Sequence, residues 1–495
     1  MPLRKLLFVS GRGALVATVV GSPLSPLAAA QTYFPPDSSV RGLVHQCVAS
    51  GRAPGVVVGL LEAKRPRRIL SDGTSGVAGR PLDAHSVFEI GSITKVFTST
   101  LLADMVRRGE VRLDDPVEKL LPAGVKVGSR NGKRVTLLDL ATHYAGFPIV
   151  PTNMIPADAA NPYADYPVDS MYAFLAAFEP PRDPGGGYEY SNFGVGLLGH
   201  GLALRASTDY ELLLRRRLLV PLGLSETAIT IAPAMWDHLT QGHDDFGDPV
   251  PNWDLPSLAG AGALRSTAAD MLTFAAANLS APKGILGEAI RDAQAPRRPA
   301  GSATDSTAGD SIGLNWLTSH RKRRTITWHT GGTGGYRSFL GLDLAARRAV
   351  VVLTNGAGDG CGDIGFHLLD SAIPLAPVPV SLEVVRRYRA GGVAAASARY
   401  RALRRAAVPG WRFDPDQLNT VGYWLLARGR AAEAVEIFRL NVEEYPDQSN
   451  PYDSLGEAFL ALGDTTAAIR NYERSVQLDP GNAGGLAMLR RLKAR

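Results

Sequence analysis

Phe88-Glu89-Ile90-Gly91-Ser92-Ile93-Thr94-Lys95-Val96-Phe97 is the stretch from which the fold and the chemistry of this chain can be worked out. Ser92 and Lys95 stand three residues apart at a predicted helix start, and positions i and i+3 share one helical face. A serine hydroxyl needs a neighbouring group to take its proton before it becomes a useful nucleophile. The positive end of the helix dipole also favours an ionised oxygen and an uncharged amine. The stretch therefore predicts a nucleophile beside its base.

Two other serines also precede a lysine by three residues, so the spacing alone decides nothing. Ser280 and Lys283 enclose a proline, which discourages a continuous helix. Ser319 and Lys322 lie in a charged run without apolar periodicity, which predicts a solvated turn. Only Ser92 is followed by the pattern of an amphipathic helix, whose predicted buried stripe comprises Val96, Leu101, Leu102, Met105 and Val106.

The length and composition predict a globular protein of more than one domain. A chain of 495 residues exceeds the size at which single cores stop growing. Hydrophobic residues make up 45% and charged residues 20%, which is ordinary for folded proteins and excludes disorder as the dominant state.

Residues 1–30 have the pattern of a secretory signal peptide. Arg4 and Lys5 begin a basic region, residues 13–20 are apolar, and Ala28-Ala29-Ala30 is a small-residue cleavage signal. The apolar run is shorter than the roughly 20 residues of a membrane span. We therefore expect an exported chain, periplasmic or secreted, without a stable membrane span. Removal of residues 1–30 would take three basic residues from a total of 53 against 47 acidic ones, and the small remaining charge predicts no nucleic-acid partner.

Two cysteines, Cys47 and Cys361, would remain after cleavage. In an oxidising compartment they could pair, but the sequence does not show that they meet, and two small buried side chains would explain them equally well. Histidines and cysteines are not clustered with metal-ligand spacing, so we predict no metal and no other cofactor.

Predicted strands occur at both ends of the first 373 residues, with predicted helices between them. This order indicates an α+β fold in which both chain ends form one antiparallel sheet, beside a helical lobe and a cleft. The predicted strands are residues 55–61, 69–70, 325–328, 338–344 and 349–354. The predicted helices are residues 40–50, a short helix capped by Thr136 with Asp139, residues 192–206, a helix capped by Thr208 and running to Val220, a helix capped by Thr267, and residues 364–371. Residues 149–187 and 233–262 are predicted to be long loops that border the cleft and determine specificity.

The chain changes character at Pro374. Residues 376–412 are predicted to be a helical linker rich in arginine, with the charges on solvated helix faces. A repeat of 34 residues follows, in the pairs Gly422/Gly456, Gly429/Gly463, Ala434/Ala468, Phe438/Tyr472 and Pro446/Pro480. Residues 413–495 thus resemble a tetratricopeptide-repeat domain, which implies a protein partner.

Two further sequences complete a catalytic constellation. Tyr190-Ser191-Asn192 follows a glycine-rich turn and opens a helix, so a phenol and an amide project together. His329-Thr330-Gly331-Gly332 follows a predicted strand, and its glycines allow a backbone to approach a ligand closely. A Ser/Lys pair needs such acid/base, orienting and oxyanion partners before it is a site.

These ordered motifs resemble those of the serine beta-lactamase-related, penicillin-recognising family, to which class C beta-lactamases and D-Ala-D-Ala peptidases belong. Ser92-Ile93-Thr94-Lys95 matches S-x-x-K, Tyr190-Ser191-Asn192 matches Y-x-N, and His329-Thr330-Gly331 matches K/H-T-G. His143-Tyr144-Ala145-Gly146-Phe147-Pro148 is similar to the H-T-S-G-L-P segment common there. The resemblance covers about residues 40–373 and implies a beta-lactamase/transpeptidase-like fold for a domain at residues 31–375.

The resemblance also implies a role for each residue. Ser92 would attack a carbonyl, Lys95 would take its proton, and Tyr190 would pass a proton to the leaving group. Asn192 would hold Lys95 and the substrate amide. The backbone N–H groups of Ser92 and Gly332 would form the oxyanion hole, where each donor contributes on the order of 3 kcal/mol. His329, Thr330 and Gly331 would line the substrate.

One departure from the family pattern is informative. His329 stands where efficient beta-lactamases have lysine, and a histidine offers a substrate carboxylate less fixed charge. This favours a peptidase, D-aminopeptidase or esterase, so the expected substrates are D-amino acid peptides, beta-lactams or small esters, including peptidoglycan-derived peptides. His143 is expected to be structural. Two alternatives remain: a penicillin-binding sensor or scaffold that acts through its repeats, and an adaptor with an inert hydrolase lobe, against which the intact motifs argue.

Overall fold

An antiparallel sheet of eight strands lies at the centre of the first 370 residues, in a computed structural model that describes residues 33–301, 309–321 and 324–494. The predicted signal peptide and Lys322 lie outside the described residues. The sheet has the strand order β2-β1-β8-β7-β6-β5-β4-β3. Its strands are β1 (Gly55–Glu62), β2 (Arg68–Gly73), β3 (Arg298–Ala300), β4 (Asp310–Ile312), β5 (Leu317–His320), β6 (Thr325–Gly332), β7 (Arg337–Asp343) and β8 (Arg348–Thr354).

Strand β1 joins the two ends of this region because it pairs with β2 on one side and β8 on the other. Its side chains alternate between the two faces of the sheet, as strand geometry requires. Val57 packs in the core of the helical lobe, whereas Val56 and Val58 pack on the opposite face. The antiparallel sheet built from both chain ends is therefore confirmed.

Strands β3, β4 and β5 extend the sheet beyond the predicted strands. Ser319 lies within β5 and is fully buried, so the predicted solvated turn is wrong at Ser319, whereas His320 and Arg321 are exposed as predicted. Its hydroxyl donates to Asp310 over 2.5 Å and accepts from the Trp328 indole N–H over 2.8 Å. These partners explain how a polar residue next to a charged run is accommodated inside a sheet.

The longer helices cover both faces of the sheet and form the C-terminal part. Along the described chain, no helix combines the length and the apolar character needed to cross a bilayer. The helices of eight or more residues are α1 (Asp37–Ala49), α2 (Thr94–Arg107), α3 (Val168–Ala177), α4 (Asn192–Arg205), α5 (Ala268–Leu279), α6 (Ile285–Gln294), α7 (Gly362–Leu369), α8 (Val380–Ala406), α9 (Pro415–Leu426), α10 (Ala431–Glu444), α11 (Ser449–Ala461), α12 (Thr465–Leu478) and α13 (Ala483–Lys493).

Helix α2 runs through the middle of the helical lobe. Every residue from Thr94 to Met105 is buried, so the predicted amphipathic helix with a single buried stripe is wrong. The helix packs against α6 and against a short helix at Ala259–Gly262, and Phe97 stacks on Phe274 at 4.0 Å between ring centroids. A helix that is covered on all sides is held rigidly, which suits a helix that carries reactive groups.

The predicted helix caps are mostly correct. Thr136 and Asp139 form the predicted reciprocal capping box, and Thr267 accepts from the Asp270 N–H at the start of α5. The predicted cap at Thr208 is wrong by one residue, because Asp209 accepts from the Leu212 N–H instead. The predicted loop at residues 149–187 contains α3, and the one at residues 233–262 contains two single-turn helices and a hairpin formed by Gly242–His243 and Pro249–Val250.

A disulfide ties two elements that cover the face of the sheet opposite the helical lobe. Cys47 in α1 is bonded to Cys361, which precedes α7, with their Cα atoms 6.2 Å apart. The sequence left this pairing open. The bond closes a loop of 314 residues and therefore links the first helix to the last strand region of the sheet.

The repeated residues of the C-terminal part make equivalent contacts. A Cβ placed on Gly422 would lie 2.3 Å from the Phe438 ring, and one placed on Gly456 would lie 3.2 Å from the Tyr472 ring. In each case a glycine on one helix lets the aromatic ring of the next helix approach its backbone. The 34-residue period thus corresponds to a recurring helix contact, while membership of the tetratricopeptide-repeat family stays a prediction.

The arginine-rich segment is a helix, α8, that is bent at Gly391 and Gly392. Its Glu383 is 3% exposed and binds three arginines: Arg386 over 2.7 Å, Arg387 over 3.1 Å and Arg399 over 2.8 Å. Arg386 and Arg387 are exposed, as predicted for solvated helix faces. Together with Arg399 they also neutralise a buried carboxylate and hold the two halves of α8 together.

The C-terminal helices contact the rest of the chain at the hairpin of residues 242–250. Phe246 packs its ring edge-on against Trp424 of α9, with centroids 5.6 Å apart. Asp248 binds Arg389 over 2.8 Å and also binds Arg428. Phe246 thereby becomes part of the hydrophobic core of the C-terminal helices.

Candidate active site

Ser92 lies in a single 3-10 turn, Gly91–Ile93, that leads directly into α2. Lys95, in the first turn of α2, places its Nζ 2.9 Å from Ser92 Oγ, so the structure brings the predicted pair together. Gly91 has a φ of +48°, which a side chain would disfavour. A Cβ at Gly91 would also lie 2.7 Å from the Gly332 nitrogen, so the turn needs a glycine here to approach β6.

The contacts of Lys95 determine the direction in which the lone pair of its amine points. Its side chain is fully buried, and Nζ lies 2.8 Å from Asn192 Oδ1 and 2.7 Å from the Ala261 carbonyl oxygen. Burial holds the pKa of Lys95 well below its usual range, which favours the uncharged amine. Both oxygens can only accept hydrogen bonds, so a neutral amine donates its two hydrogens to them. Its lone pair then faces the hydroxyl of Ser92.

Tyr190 contacts Ser92 from the other side. Its hydroxyl donates to Ser92 Oγ over 2.8 Å, and its ring lies 5.0 Å from Lys95 Nζ. Burial raises the pKa of Tyr190 well above its usual range, so the phenol keeps its proton at neutral pH. Ser92 Oγ therefore lies between a base, Lys95, and a proton donor, Tyr190.

His143 holds the turn that carries Tyr190 and Asn192. Its Nδ1 accepts from the Ser191 N–H over 3.1 Å, and its ring packs on Tyr190 at 4.4 Å between centroids. Burial keeps the pKa of His143 well below its usual range, so the acceptor stays unprotonated. Ser191 in turn accepts from the Gly194 N–H and caps α4. His143 thus supports the site without touching Ser92, in line with its predicted structural role.

The third motif forms the end of β6 and lies against the Ser92 turn. A Cβ at Gly331 would lie 2.0 Å from the Ile90 carbonyl oxygen, so this approach requires glycine. His329 is buried, and burial lowers its pKa to about 3. Thr330 and Gly332 are exposed on the other face of β6. The structure therefore joins Ser92, Lys95, Tyr190 and Asn192 by hydrogen bonds and places Gly331 and Gly332 against the Ser92 turn. A neutral histidine, His329, stands in the family's lysine position.

Sequence reasoning missed two contacts that complete the arrangement. The Ala261 carbonyl oxygen lies in a stretch predicted as loop, and only its run of small residues indicated a close approach. Tyr163 accepts from Asn192 Nδ2 over 3.1 Å and packs on Trp253 at 5.3 Å between centroids. The two segments predicted to border the cleft therefore meet over Asn192.

Comparison with known proteins agrees with this geometry. The sequence model of the Beta-lactamase family matches residues 40–371. A beta-lactamase of Lysobacter lactamgenus is 25% identical over 370 residues, which cover 68% of this chain and 91% of that protein. The D-alanyl-D-alanine-carboxypeptidase/endopeptidase AmpH of Escherichia coli (strain K12) is 28% identical over 302 residues, which cover 57% of this chain and 76% of that protein.

Among solved structures, a beta-lactamase/D-alanine carboxypeptidase from Yersinia pestis has the same fold. It superposes with a TM-score of 0.58 at 23% identity, and the match covers 68% of this chain and 98% of that one. The family match ends before α8, so the C-terminal helices are an addition to the matched region.

Proposed function

The chain belongs to the Beta-lactamase family of serine hydrolases, and from that membership we propose that Ser92 is the nucleophile of an acyl-transfer site. The observation that carries the proposal is the placement of Ser92 Oγ, 2.9 Å from Lys95 Nζ and 2.8 Å from the Tyr190 hydroxyl. A nucleophile in contact with both a base and an acid can attack a carbonyl and then protonate the leaving group.

In the first step, Lys95 takes the Ser92 proton while Oγ bonds to the substrate carbonyl carbon. The carbonyl oxygen becomes an oxyanion and accepts hydrogen bonds from the N–H groups of Ser92 and Gly332. These two N–H groups lie near each other because Gly91 approaches Gly332 closely. The bond to the leaving group then breaks, and Tyr190 supplies the proton that the leaving group needs. Tyr190 regains a proton from the Lys95 ammonium, which lies beside its ring at 5.0 Å, so that both groups return to their starting protonation states. A water molecule hydrolyses the acyl-serine by the reverse sequence.

We propose D-amino acid peptides, in the manner of a D-Ala-D-Ala carboxypeptidase, as the substrates, with beta-lactams and small esters as further acyl donors. The neutral state of His329 supports a peptidase or esterase over a dedicated beta-lactamase, because the site lacks the fixed charge of a lysine at that position. The names of the Escherichia coli and Yersinia pestis relatives support the same substrate class.

Export is part of the proposal. A disulfide between Cys47 and Cys361 suits an oxidising compartment, which agrees with the signal peptide that residues 1–30 predict. The C-terminal helices are proposed to dock a protein partner. A penicillin-binding sensor is the second candidate function, and the joining of these helices to the hydrolase part at Phe246 and Trp424 favours it.

The test is labelling by a fluorescent penicillin together with turnover of a D-Ala-D-Ala peptide and of an aryl ester. We expect the full chain to be labelled and to turn over at least one acyl substrate, and Ser92→Ala to lose both properties. Labelling without turnover would select the sensor. Labelling that persists in Ser92→Ala would exclude Ser92 as the nucleophile.

A further inference from the structure

The hairpin of residues 242–250 is held at its tip by the C-terminal helices. Phe246 packs on Trp424 of α9, and its carbonyl oxygen accepts from Arg389 of α8 over 2.9 Å. Asp248 accepts from the Trp424 indole N–H over 3.3 Å and pairs with Arg389 over 2.8 Å. Phe246 is buried and belongs to the hydrophobic core of these helices. The tip of the hairpin therefore depends on the C-terminal helices for its burial.

The base of the same hairpin packs on the turn that joins β6 to β7. A Cβ placed on Gly335 of this turn would lie 2.8 Å from Gly242 Cα and 2.9 Å from the Val250 side chain. The His243 N–H donates to the Gly335 carbonyl oxygen over 3.3 Å. Both strands of the hairpin thus touch the turn that follows the third motif, and Gly335 allows this approach because it has no side chain.

Trp253, three residues beyond the hairpin, extends these contacts to the surroundings of the nucleophile. Its backbone N–H donates over 2.8 Å to Glu89, which precedes Ser92 by three positions. Its indole ring packs on Tyr163, and a Cβ placed on Gly334 would lie 2.5 Å from Trp253 Nε1. One side chain and its backbone therefore contact the segment before the nucleophile, the turn after the third motif and the other long segment that borders the cleft.

The hairpin is too short to keep its position unaided. Its strands, Gly242–His243 and Pro249–Val250, are two residues long. Even a longer two-stranded hairpin is at best marginally stable alone in water. The contacts at the tip and at the base must therefore supply its order, and closely packed groups shift together when one of them moves. Loss of the tip contacts would loosen Trp253 and the turn that follows the third motif.

We propose that the C-terminal helices hold the acyl-transfer site in its active geometry through this hairpin, with Phe246 as a positioning residue. Phe246 acts through Trp253 and does not touch the reacting atoms. The inference rests on acyl transfer at Ser92 and adds a regulatory role for the C-terminal helices. Displacement of α9 from the hairpin would slow the acylation of Ser92.

Phe246→Ala in the full chain removes the ring that packs on Trp424. We expect kcat/KM for an aryl ester to fall about tenfold, mainly through kcat, because small displacements of catalytic groups slow a reaction strongly. Phe246→Leu keeps an apolar contact and should restore most of the loss. Phe459→Ala is the matched control, because both phenylalanines are 9% exposed in the same core, and Phe459 lies in α11 under the Arg439 guanidinium. It should lower the thermal stability of the C-terminal helices and leave kcat/KM unchanged.

Hydrogen exchange followed by mass spectrometry locates the effect. The Trp253 amide donates to Glu89, so exchange of the peptide of residues 250–256 reports whether this segment is held in place. We expect this peptide to exchange about tenfold faster in Phe246→Ala than in wild type, because a segment that opens more often exchanges faster. In Phe459→Ala it should exchange at the wild-type rate.

The wild-type protein supplies a measurement that needs no variant. Coupling between two sites is reciprocal, so acylation of Ser92 by a penicillin should slow exchange at the tip of the hairpin and in α9. Unchanged exchange in both places would overturn the proposal. This result decides the question if Phe246→Ala does not fold.

The outcomes separate this proposal from the proposed function. If the wild-type protein is not acylated and turns over no ester, the acyl-transfer assignment fails. If wild type is active and folded Phe246→Ala has the same kcat/KM, the positioning role of Phe246 is wrong and the acyl-transfer assignment stands. An equal loss of activity in Phe246→Ala and Phe459→Ala would likewise overturn the role of the hairpin.

Discussion

Lys95 Nζ lies 2.8 Å from Asn192 Oδ1, and this contact connects the helix that carries the nucleophile to the turn that carries the proton donor. Asn192 Nδ2 donates in turn to Tyr163. The amide is therefore oriented from both ends, and its oxygen can only accept the hydrogen of Lys95. This orientation directs the lysine lone pair at Ser92, so the base depends on a residue almost a hundred positions along the chain.

Asn192→Asp tests this dependence with almost no change in shape. A carboxylate beside Lys95 would raise the pKa of the amine, because an opposite charge favours the ammonium. We expect the acid limb of the kcat/KM profile to move to higher pH, and activity at pH 7 to fall about tenfold or more, since one pKa unit is a factor of ten. Asn153→Asp, in an exposed part of the same lobe, is the control. An acid limb that stays in place would show that Asn192 does not orient the base.

Tyr163→Phe removes only the hydroxyl that accepts from Asn192. The net value of one hydrogen bond is about 1 kcal/mol, so kcat/KM should fall about threefold to tenfold while the fold is preserved. Tyr166→Phe makes the same chemical change at another buried tyrosine, whose hydroxyl bonds to Asn153 instead. Steady-state kinetics of the two variants provide the comparison, and an equal loss in both would contradict a specific role for Tyr163.

The buried histidines predict how stability depends on pH. The pKa of His329 is lowered to about 3 and that of His143 is also lowered, so below pH 6.5 the unfolded chain binds more protons than the folded one. Stability is thus complete above pH 6.5 and falls as the pH falls, by about 1.4 kcal/mol per pH unit for each histidine. The free energy of unfolding, measured by urea denaturation, should be lower at pH 5.0 than at pH 7.5. This difference should be about 2 kcal/mol smaller in His329→Asn, because one histidine contributes over the roughly 1.5 pH units between 6.5 and 5.0. Exposed His320→Asn is the control, and an unchanged drop in His329→Asn would contradict the assignment.

The disulfide should contribute strongly to stability because it closes a loop of 314 residues. Replacing Cys47 and Cys361 together with serine should reduce the free energy of unfolding by about 2–5 kcal/mol, measured by urea denaturation without reductant. Thiol titration of the unfolded wild-type chain, purified without reductant, should find no free thiol. Two free thiols would show that the pair is not formed.

The sequence allowed the site to be predicted better than its surroundings. The Ser92/Lys95 spacing and the order of the Tyr190 and His329 motifs are signals that the sequence carries directly. The polar partners of Lys95 could not be predicted in the same way. The Ala261 carbonyl oxygen is a backbone group, and the run of small residues around it is only an indirect signal. Tyr163 contacts Asn192 because of the tertiary fold of a long segment, which the sequence does not reveal.

The errors in the fold have a common physical origin. Ser319 was judged by its own polarity, but Asp310 accepts its hydrogen in the folded chain. In helix α2 the threonines, Lys95 and Asp104 form a polar pattern that predicts an exposed face. All of them are buried, and they form hydrogen bonds or ion pairs within the lobe. Periodicity cannot reveal such partners because they come from distant parts of the chain.

The most direct test of the central claim is the intact mass of the protein after brief exposure to a penicillin, followed by peptide mapping. The account predicts a mass increase equal to one penicillin, located on the peptide that contains Ser92, absent in Ser92→Ala and formed much more slowly in Lys95→Met. A mass increase on another residue, or one that persists in Ser92→Ala, would contradict it.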